Sequence, residues 1–297
     1  MLPLLRVHLQ YQCILQNYFY ITFLIVFLLC IGVHGDSHGW GYGEDGSDQD
    51  WQGLCRTGKL QSPIDLSPQT SAIGKLGKLE LNNFNVPQEV NIINNGHTLQ
   101  INLKNTNEVE IKGAGLPDTY SLQQIHFHWK SEHAVSGRRF ALECHLVHKN
   151  TKYLTIKDAL KNKNGIAVLG VLFHISTIEN EDLANILNIS SPVRETPDSN
   201  EVTHTIHIDQ LLPDDLTSFY RYRGSLTTPT CDEAVVWTVF TESLPITDKQ
   251  FEIFQSLKTH NGDLKANNRP LKPLVGRLVT YQKFEYLTTV SSRSAKT

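Results

Sequence analysis

The sequence predicts a single mainly β domain of the α+β kind, with one large sheet and short helices at its periphery. Three observations lead there. Apolar residues recur mostly with period two in short runs, as in strands that send alternate side chains to opposite faces. Helical spacing is confined to two stretches. No Gly/Ser linker, charge block, low-complexity run or internal repeat divides the roughly 260 residues behind the N-terminal leader, which favours one domain over two.

The elements follow in chain order. A polar stretch carrying Arg6 precedes an apolar run over 18–33 and small residues up to Gly35, which reads as a cleaved signal peptide over 1–35, the competing reading being a retained signal anchor. The domain then occupies 36–297. After Trp40-Gly41-Tyr42-Gly43 comes an Asp/Gly/Ser-rich loop, followed by predicted strands at 90–94, 98–103, 109–111, 123–129, 139–148, 167–174, 202–208 and 276–284. One helix is expected over 182–188, where Leu183, Ile186 and Leu187 form a stripe. A second opens at the capping box Thr247-Asp248-Lys249-Gln250 and turns Phe251, Phe254 and Leu257 inward. The tail from about residue 288 is polar, so a secreted protein with no membrane span after leader removal is expected.

The net charge is −3, from 27 basic and 30 acidic residues scattered along the chain, so no basic footprint suggests a nucleic-acid partner. Of five cysteines, Cys13 and Cys30 belong to the leader, leaving Cys55, Cys144 and Cys231, an odd number for an oxidising compartment. Cys144 alternates onto an apolar face and reads as a buried free thiol. Asn188-Ile189-Ser190 is a glycosylation sequon.

The chemistry gathers in two strands, Gln123-Gln124-Ile125-His126-Phe127-His128-Trp129 and Leu142-Glu143-Cys144-His145-Leu146-Val147-His148. Alternation puts Gln124, His126 and His128 on one face of the first, and Glu143, His145 and Val147 together on the second. If the strands are near neighbours, three imidazoles converge. Three neutral histidines with a vacant fourth position are a catalytic rather than a structural zinc pattern. Gln124 and Glu143, each two residues before a histidine on its own face, are candidate acceptors for the other ring protons. The residues alone leave open the alternative that these are ordinary core and surface histidines. His148 opposes His145, and His204 and His207 point to opposite faces of a strand, so neither completes the set.

Six segments resemble the α-class carbonic anhydrases, and in the same order: Gln61-Ser62-Pro63-Ile64-Asp65, Asn95-Gly96-His97, His126-Phe127-His128-Trp129, Ser131-Glu132-His133, Glu143-Cys144-His145-Leu146-Val147-His148 and Gly224-Ser225-Leu226-Thr227-Thr228-Pro229. The similarity runs from about His38 to Phe284. It implies a twisted, mostly antiparallel sheet of about ten strands, Zn²⁺ on His126, His128 and His145, and reversible hydration of carbon dioxide to bicarbonate and a proton by zinc hydroxide. Thr227 is expected to donate its proton to Glu132 while accepting one from the zinc-bound hydroxide, since an ionised carboxylate only accepts. Val147, Val168, Leu226, Val235 and Trp237 resemble the apolar wall that holds carbon dioxide, and Cys55 and Cys231 the disulfide of secreted members. Closing so long a loop would contribute roughly 5 kcal/mol.

The resemblance also assigns His97 as proton shuttle, with Tyr42, Asn95 and Gln100 ordering water. The carbonic anhydrases themselves have a bound water of pKa about 7, whose proton reaches bulk water at only about 10³ s⁻¹ if recombination is limited by diffusion; a histidine removes that limit. Some positions depart from the family. Only Lys130 and Ser131 separate Trp129 from Glu132, Thr230 replaces a frequent second proline, and Gln100 stands where asparagine is common. Other readings are a non-catalytic binding module of the same fold, against which all three histidines argue, and a zinc esterase, expected as a side activity.

Overall fold

The computed structural model describes residues 40–42, 48–198, 201–260 and 262–283. The predicted leader over 1–35 and the polar tail from about 288 lie outside them. Twelve strands form the central sheet. Its first six are β1 (Ala72–Ile73), β2 (Leu79–Asn82), β3 (Gln88–Asn94), β4 (Leu99–Leu103), β5 (Glu110–Gly113) and β6 (Tyr120–Trp129). The others are β7 (Leu142–Asn150), β8 (Ile166–Ile175), β9 (Glu201–Ile206), β10 (Phe219–Gly224), β11 (Val235–Ile246) and β12 (Thr280–Gln282). Their spatial order is β9-β3-β4-β6-β7-β8-β11-β10-β12-β1, with β5 beside β6 and β2 beside β5. Pairing is antiparallel except for β8 with β11 and β12 with β1. Four short helices, α1 (Leu54–Thr57), α2 (Ile156–Leu160), α3 (Glu181–Ile189) and α4 (Asp248–Gln255), complete the single domain. None of the described helices is long and apolar enough to cross a membrane.

Period-two alternation, kept in register across hydrogen-bonded neighbours, sorts the side chains into two cores. Ile125, Phe127 and Trp129 of β6, Leu142, Cys144 and Leu146 of β7, and Leu169 and Val171 of β8 enter the larger one. There Phe254 of α4 meets Phe127 at 5.1 Å between ring centroids, and the capping box at Thr247 and Gln250 is formed. The opposite face holds a smaller cluster of Val147, Val168, Tyr222, Val235 and Trp237. The polar residues of the site share that second face.

Several boundaries differ from the predicted ones. The strand expected over 139–148 starts at Leu142, because Arg138–Arg139 pairs with Ala134–Val135 in a separate small sheet. The run 276–284 narrows to Thr280–Gln282, since the Arg277 N–H turns back to Leu274 O. The run 202–208 ends at Ile206, beyond which the N–H groups of Ile208 and Asp209 both donate to Phe84 O. His207 therefore lies outside the strand. Strands β10 and β11 were not expected. In β10 the alternation is tyrosine against arginine rather than apolar against polar, while β11 opens with an almost unbroken apolar run, which carries no period when both faces are buried.

Cys55 and Cys231 form a disulfide across 176 residues, with their Cα atoms 5.0 Å apart. Cys144 is a buried free thiol. His148, on the larger-core side, sits near Phe84 with ring centroids 6.1 Å apart, and its Nδ1 lies 2.9 Å from Leu146 O. Burial pushes its pKa down to about 3.

That burial makes stability pH-dependent. Unfolded, the ring takes its proton near pH 6.5; folded, near 3; so the unfolded chain binds more protons in between, and stability present above the upper value is lost as pH falls towards the lower. His148→Gln is expected to shrink the loss between pH 7 and pH 5 by roughly 2 kcal/mol. Urea unfolding of both proteins at both pH values measures it, and an unchanged loss would remove His148 as its source.

Candidate active site

Strands β6 and β7 bring the predicted ligands together by register: His126 stands opposite His145, and His128 opposite Glu143. The three rings lie with centroids 4.6 to 5.1 Å apart. Each is oriented by its own acceptor. His126 Nδ1 lies 2.9 Å from Gln124 Oε1. His128 Nδ1 lies 2.8 Å from the Asn267 carbonyl and 3.0 Å from Glu132 Oε1. His145 Nε2 lies 2.9 Å from Glu143 Oε1. With a proton assigned to each of these nitrogens, the remaining lone pairs sit on His126 Nε2, His128 Nε2 and His145 Nδ1. His128 Nε2 is buried without any partner, and His126 Nε2 faces His145 Nδ1 at 3.3 Å. Lone pairs so placed repel one another unless a cation lies between them, so the residues fit a metal ion.

The electrostatics agree. Burial lowers the pKa of all three histidines, to about 3 for His128, and their mutual repulsion adds to this at His126 and His128. The rings are therefore neutral ligands, as coordination requires. Glu143 is fully buried; burial alone would raise its pKa, but His133 and His145 hold it well below the usual carboxylate range. His133 supplies two bonds to it, from its backbone N–H to Oε2 at 2.8 Å and from Nδ1 to Oε1 at 2.7 Å. His133 Nε2 then lies 2.6 Å from the Tyr222 hydroxyl, which is 2.9 Å from Ser62 Oγ. The set His133, Glu143 and His145 also has metal-binding spacing, but these hydrogen bonds already account for its closeness.

Gly170, opposite His145 on β8, makes room for this carboxylate: a Cβ there would come within 3.1 Å of Glu143 Oε1 and 3.3 Å of Val239. On the other side, burial followed by repulsion from Glu143 pushes Glu132 well above its ordinary range. Its Oε1 accepts the Arg269 N–H at 3.3 Å, and its Oε2 is buried without a partner. Thr227 is buried but makes no hydrogen bond to Glu132 here; Oε2 is the acceptor left over for it. The segment before Thr227 is pinned by the Leu226 N–H to Asp232 O at 3.0 Å and by the Trp237 indole N–H to Ser225 O at 3.1 Å.

The other predicted residues fall around this centre. Val147 pairs with Val168, and Val168 with Trp237, giving an apolar strip with Val235 and the partly buried Leu226. His97 is half-buried, stacked on Trp40 at 4.1 Å and 12°. Asn95 Oδ1 accepts the N–H groups of His97 and Thr98, and its Nδ2 donates to Gln100 Oε1 at 2.9 Å. Gln100 is in register with His126. Tyr42 is buried beside Glu132, and burial, then that carboxylate, raises its pKa well above 10. Asn188 is exposed near the end of α3, and Ser190 of the same sequon is buried with its hydroxyl on Leu187 O.

Asn267, Tyr222 and Arg269 escaped the sequence reading. The Asn267 side chain receives the Trp129 N–H and donates to the carbonyls of Phe127 and His97, while its own carbonyl orients His128. Nothing in a polar loop about 140 residues away signals this role; only the fold does. His260 stands next to His97 with centroids 5.6 Å apart and pairs with Asp198 at 2.9 Å.

Three neutral imidazoles on one sheet face, each held by its own acceptor and flanked by an apolar strip, define a metalloenzyme site rather than a binding module. The model of the eukaryotic-type carbonic anhydrases matches residues 46–283. Putative carbonic anhydrase 5 of Caenorhabditis elegans is 36% identical over 263 residues, covering 84% of this chain and 83% of that protein. Two mouse proteins are similar as well: carbonic anhydrase 7, 34% identical over 82% of this chain and 96% of its own, and carbonic anhydrase 15, 39% identical over 63% of each. The chain belongs to the eukaryotic-type carbonic anhydrase family, as an enzyme whose ligand set is intact.

Glu143→Gln keeps the shape but exchanges an ionised acceptor for a neutral one, and is expected to weaken metal retention by roughly ten- to a hundredfold. Competition with a chelator followed by metal analysis reads it directly. Retention equal to the wild type would mean that Glu143 does not tune His145.

Proposed function

We propose that the cluster holds zinc through His126 Nε2, His128 Nε2 and His145 Nδ1, and that the protein interconverts carbon dioxide and bicarbonate. The observation that carries this is the orphaned, buried His128 Nε2, aimed at the same point as two other ring lone pairs. An all-imidazole set of this size suits zinc with an open position. Zinc, when bound there, supplies a Lewis acid that turns water into a nucleophile near neutral pH.

The chain's own residues do the rest. Glu132, when ionised, would accept the Thr227 Oγ–H at Oε2, leaving a Thr227 lone pair to accept the proton of the reacting oxygen. That selects oxygen nucleophiles carrying a proton and fixes their direction. Val147, Val168, Leu226, Val235 and Trp237 offer carbon dioxide a dry surface beside the polar centre, and bicarbonate, being charged, leaves for water. The proton departs through water ordered by Tyr42, Asn95 and Gln100 to His97. Hydrolysis of activated esters is a side activity of the same centre. An oxidised Cys55–Cys231 pair supports a secreted protein with leader 1–35 removed and a glycan on Asn188.

His128→Ala is expected to lose both metal and carbon dioxide hydration while keeping the disulfide and most of the fold; zinc analysis with stopped-flow hydration checks it, and a variant with stoichiometric zinc and full activity would overturn the ligand set. His97→Ala is expected to lower kcat about tenfold or more in dilute buffer and to spare kcat/KM, because proton export is then left to water at about 10³ s⁻¹. Added imidazole should restore part of the loss. Equal kcat in dilute buffer would remove His97 from the proton path.

A further inference from the structure

Two buried arginines in this fold are treated very differently. Arg269 has its guanidinium on the Asp48 carboxylate at 2.6 Å, on Gln61 Oε1, and on the carbonyls of Ser62 and Cys55. Arg221, 7% exposed, has no carboxylate at ion-pair distance among the described residues. It donates three hydrogen bonds, two to Thr238 Oγ1 at 2.9 and 3.2 Å and one to Ala114 O at 2.9 Å. A guanidinium has five N–H groups, so donors remain for an acceptor the chain does not supply. Burial pushes its pKa down to about 10, and no carboxylate opposes the shift. The Phe219 ring, 5.3 Å from the Arg221 guanidinium, compensates it only in part, and a buried cation without a counter-charge is costly.

Arg221 lines a cavity of about 460 Å³ together with Lys163, Arg223 and Arg277. Among the described residues no acidic side chain lines it. Glu233 lowers the cost of charge on Arg277, but it is itself bonded to Leu60 N–H and Gln61 Nε2. The cavity follows from the topology. Strand β12 pairs with β10 only from Phe219 to Arg221, and the chain before Thr280 turns away at Arg277, so the rest of β10 has no strand on that edge. Arg277 bridges the gap by placing its guanidinium 5.7 Å over the Tyr222 ring and its Nη1 3.4 Å from Arg223 O.

Four cations with no acid among the lining residues suit a multiply charged anion better than a monovalent one, and guanidinium forks match the oxygens of tetrahedral oxyanions. We propose that this cavity, at the open edge of β10, is a binding site for an oxyanion of the phosphate class, free or carried as a monoester. Occupancy supplies Arg221 with the counter-charge that the fold withholds.

The test is calorimetric titration of the purified, metal-loaded protein with inorganic phosphate, with glycerol 2-phosphate in a parallel arm and bicarbonate as the monovalent control. One saturable site per chain is expected, weaker by tenfold or more for bicarbonate, with a phosphate-dependent rise in Tm. The double variant Arg223→Gln/Arg277→Gln, compared with its own phosphate-free Tm because Arg277 also holds the Leu274 and Pro273 carbonyls, should bind at least tenfold more weakly. Tighter binding of the ester assigns the monoester as ligand; tighter binding of phosphate assigns the free ion. Arg221→Met should abolish the phosphate-dependent rise, and if it does not fold the double variant decides alone. No saturable binding, or the same affinity in the double variant, as an anion bound at the metal would give, overturns the proposal.

Discussion

The Glu143 carboxylate is the constraint on which the rest of the site depends. It is an anion in the middle of a sheet, where charge is tolerated only when every lone pair facing the protein is answered. His133 answers it twice and His145 once. The bond to His145 fixes which nitrogen of that ring carries the proton, and so which one is presented to a metal. The need to keep that carboxylate unclashed explains a glycine at position 170, where a strand otherwise built of branched and aromatic residues has no side chain. The bonds from His133 explain in turn why Tyr222 and Ser62, on distant segments, end in hydroxyls aligned towards it.

Arg269 plays the corresponding role for the loops. Its backbone N–H reaches Glu132, while its side chain gathers Asp48, Cys55, Gln61 and Ser62. The disulfide partner Cys231 comes from the loop that follows Thr227, and Gln61 Nε2 donates to its carbonyl at 3.1 Å. The segment from Asp48 to Ser62, the Thr227 loop and the carboxylate beside His128 are thus tied to one another. This is a polar scaffold beside an apolar one: the smaller valine and tryptophan cluster backs the site, and the larger core lies across the sheet.

What was legible in the sequence follows from the range of the interactions. Alternation in 123–129 and 142–148 places Gln124, His126 and His128 on one face and Glu143 and His145 on another, because a strand fixes side-chain direction locally. That the two faces are the same face depends on pairing, which the family resemblance supplied and the register of β6 with β7 realises. Asn267, Tyr222 and the neighbour relation of His97 to His260 are tertiary, and nothing in their own segments marks them. Strands β10 and β11 were missed for opposite reasons, one because arginines interrupt its pattern and the other because burial on both faces erases it. The expected strand at 276–284 was overextended because its first residues form a turn closed by the Arg277 N–H on Leu274 O, which no local pattern marks.

One edge of the sheet joins strands far apart in sequence: β1, at Ala72 and Ile73, lies parallel to β12, at Thr280 and Tyr281. During synthesis from the amino terminus, β1 emerges with almost the whole domain still to come, and its partner is made last. The central strands β6, β7 and β8, close in sequence, can gather the histidines well before that. Nascent chains should therefore pass through a stage with the metal ligands assembled and a sheet edge unpaired, when strand-to-strand association with other chains is the main hazard. Strand β12 acts as a closing seam, and its loss would be felt as aggregation during biogenesis sooner than as a defect in chemistry.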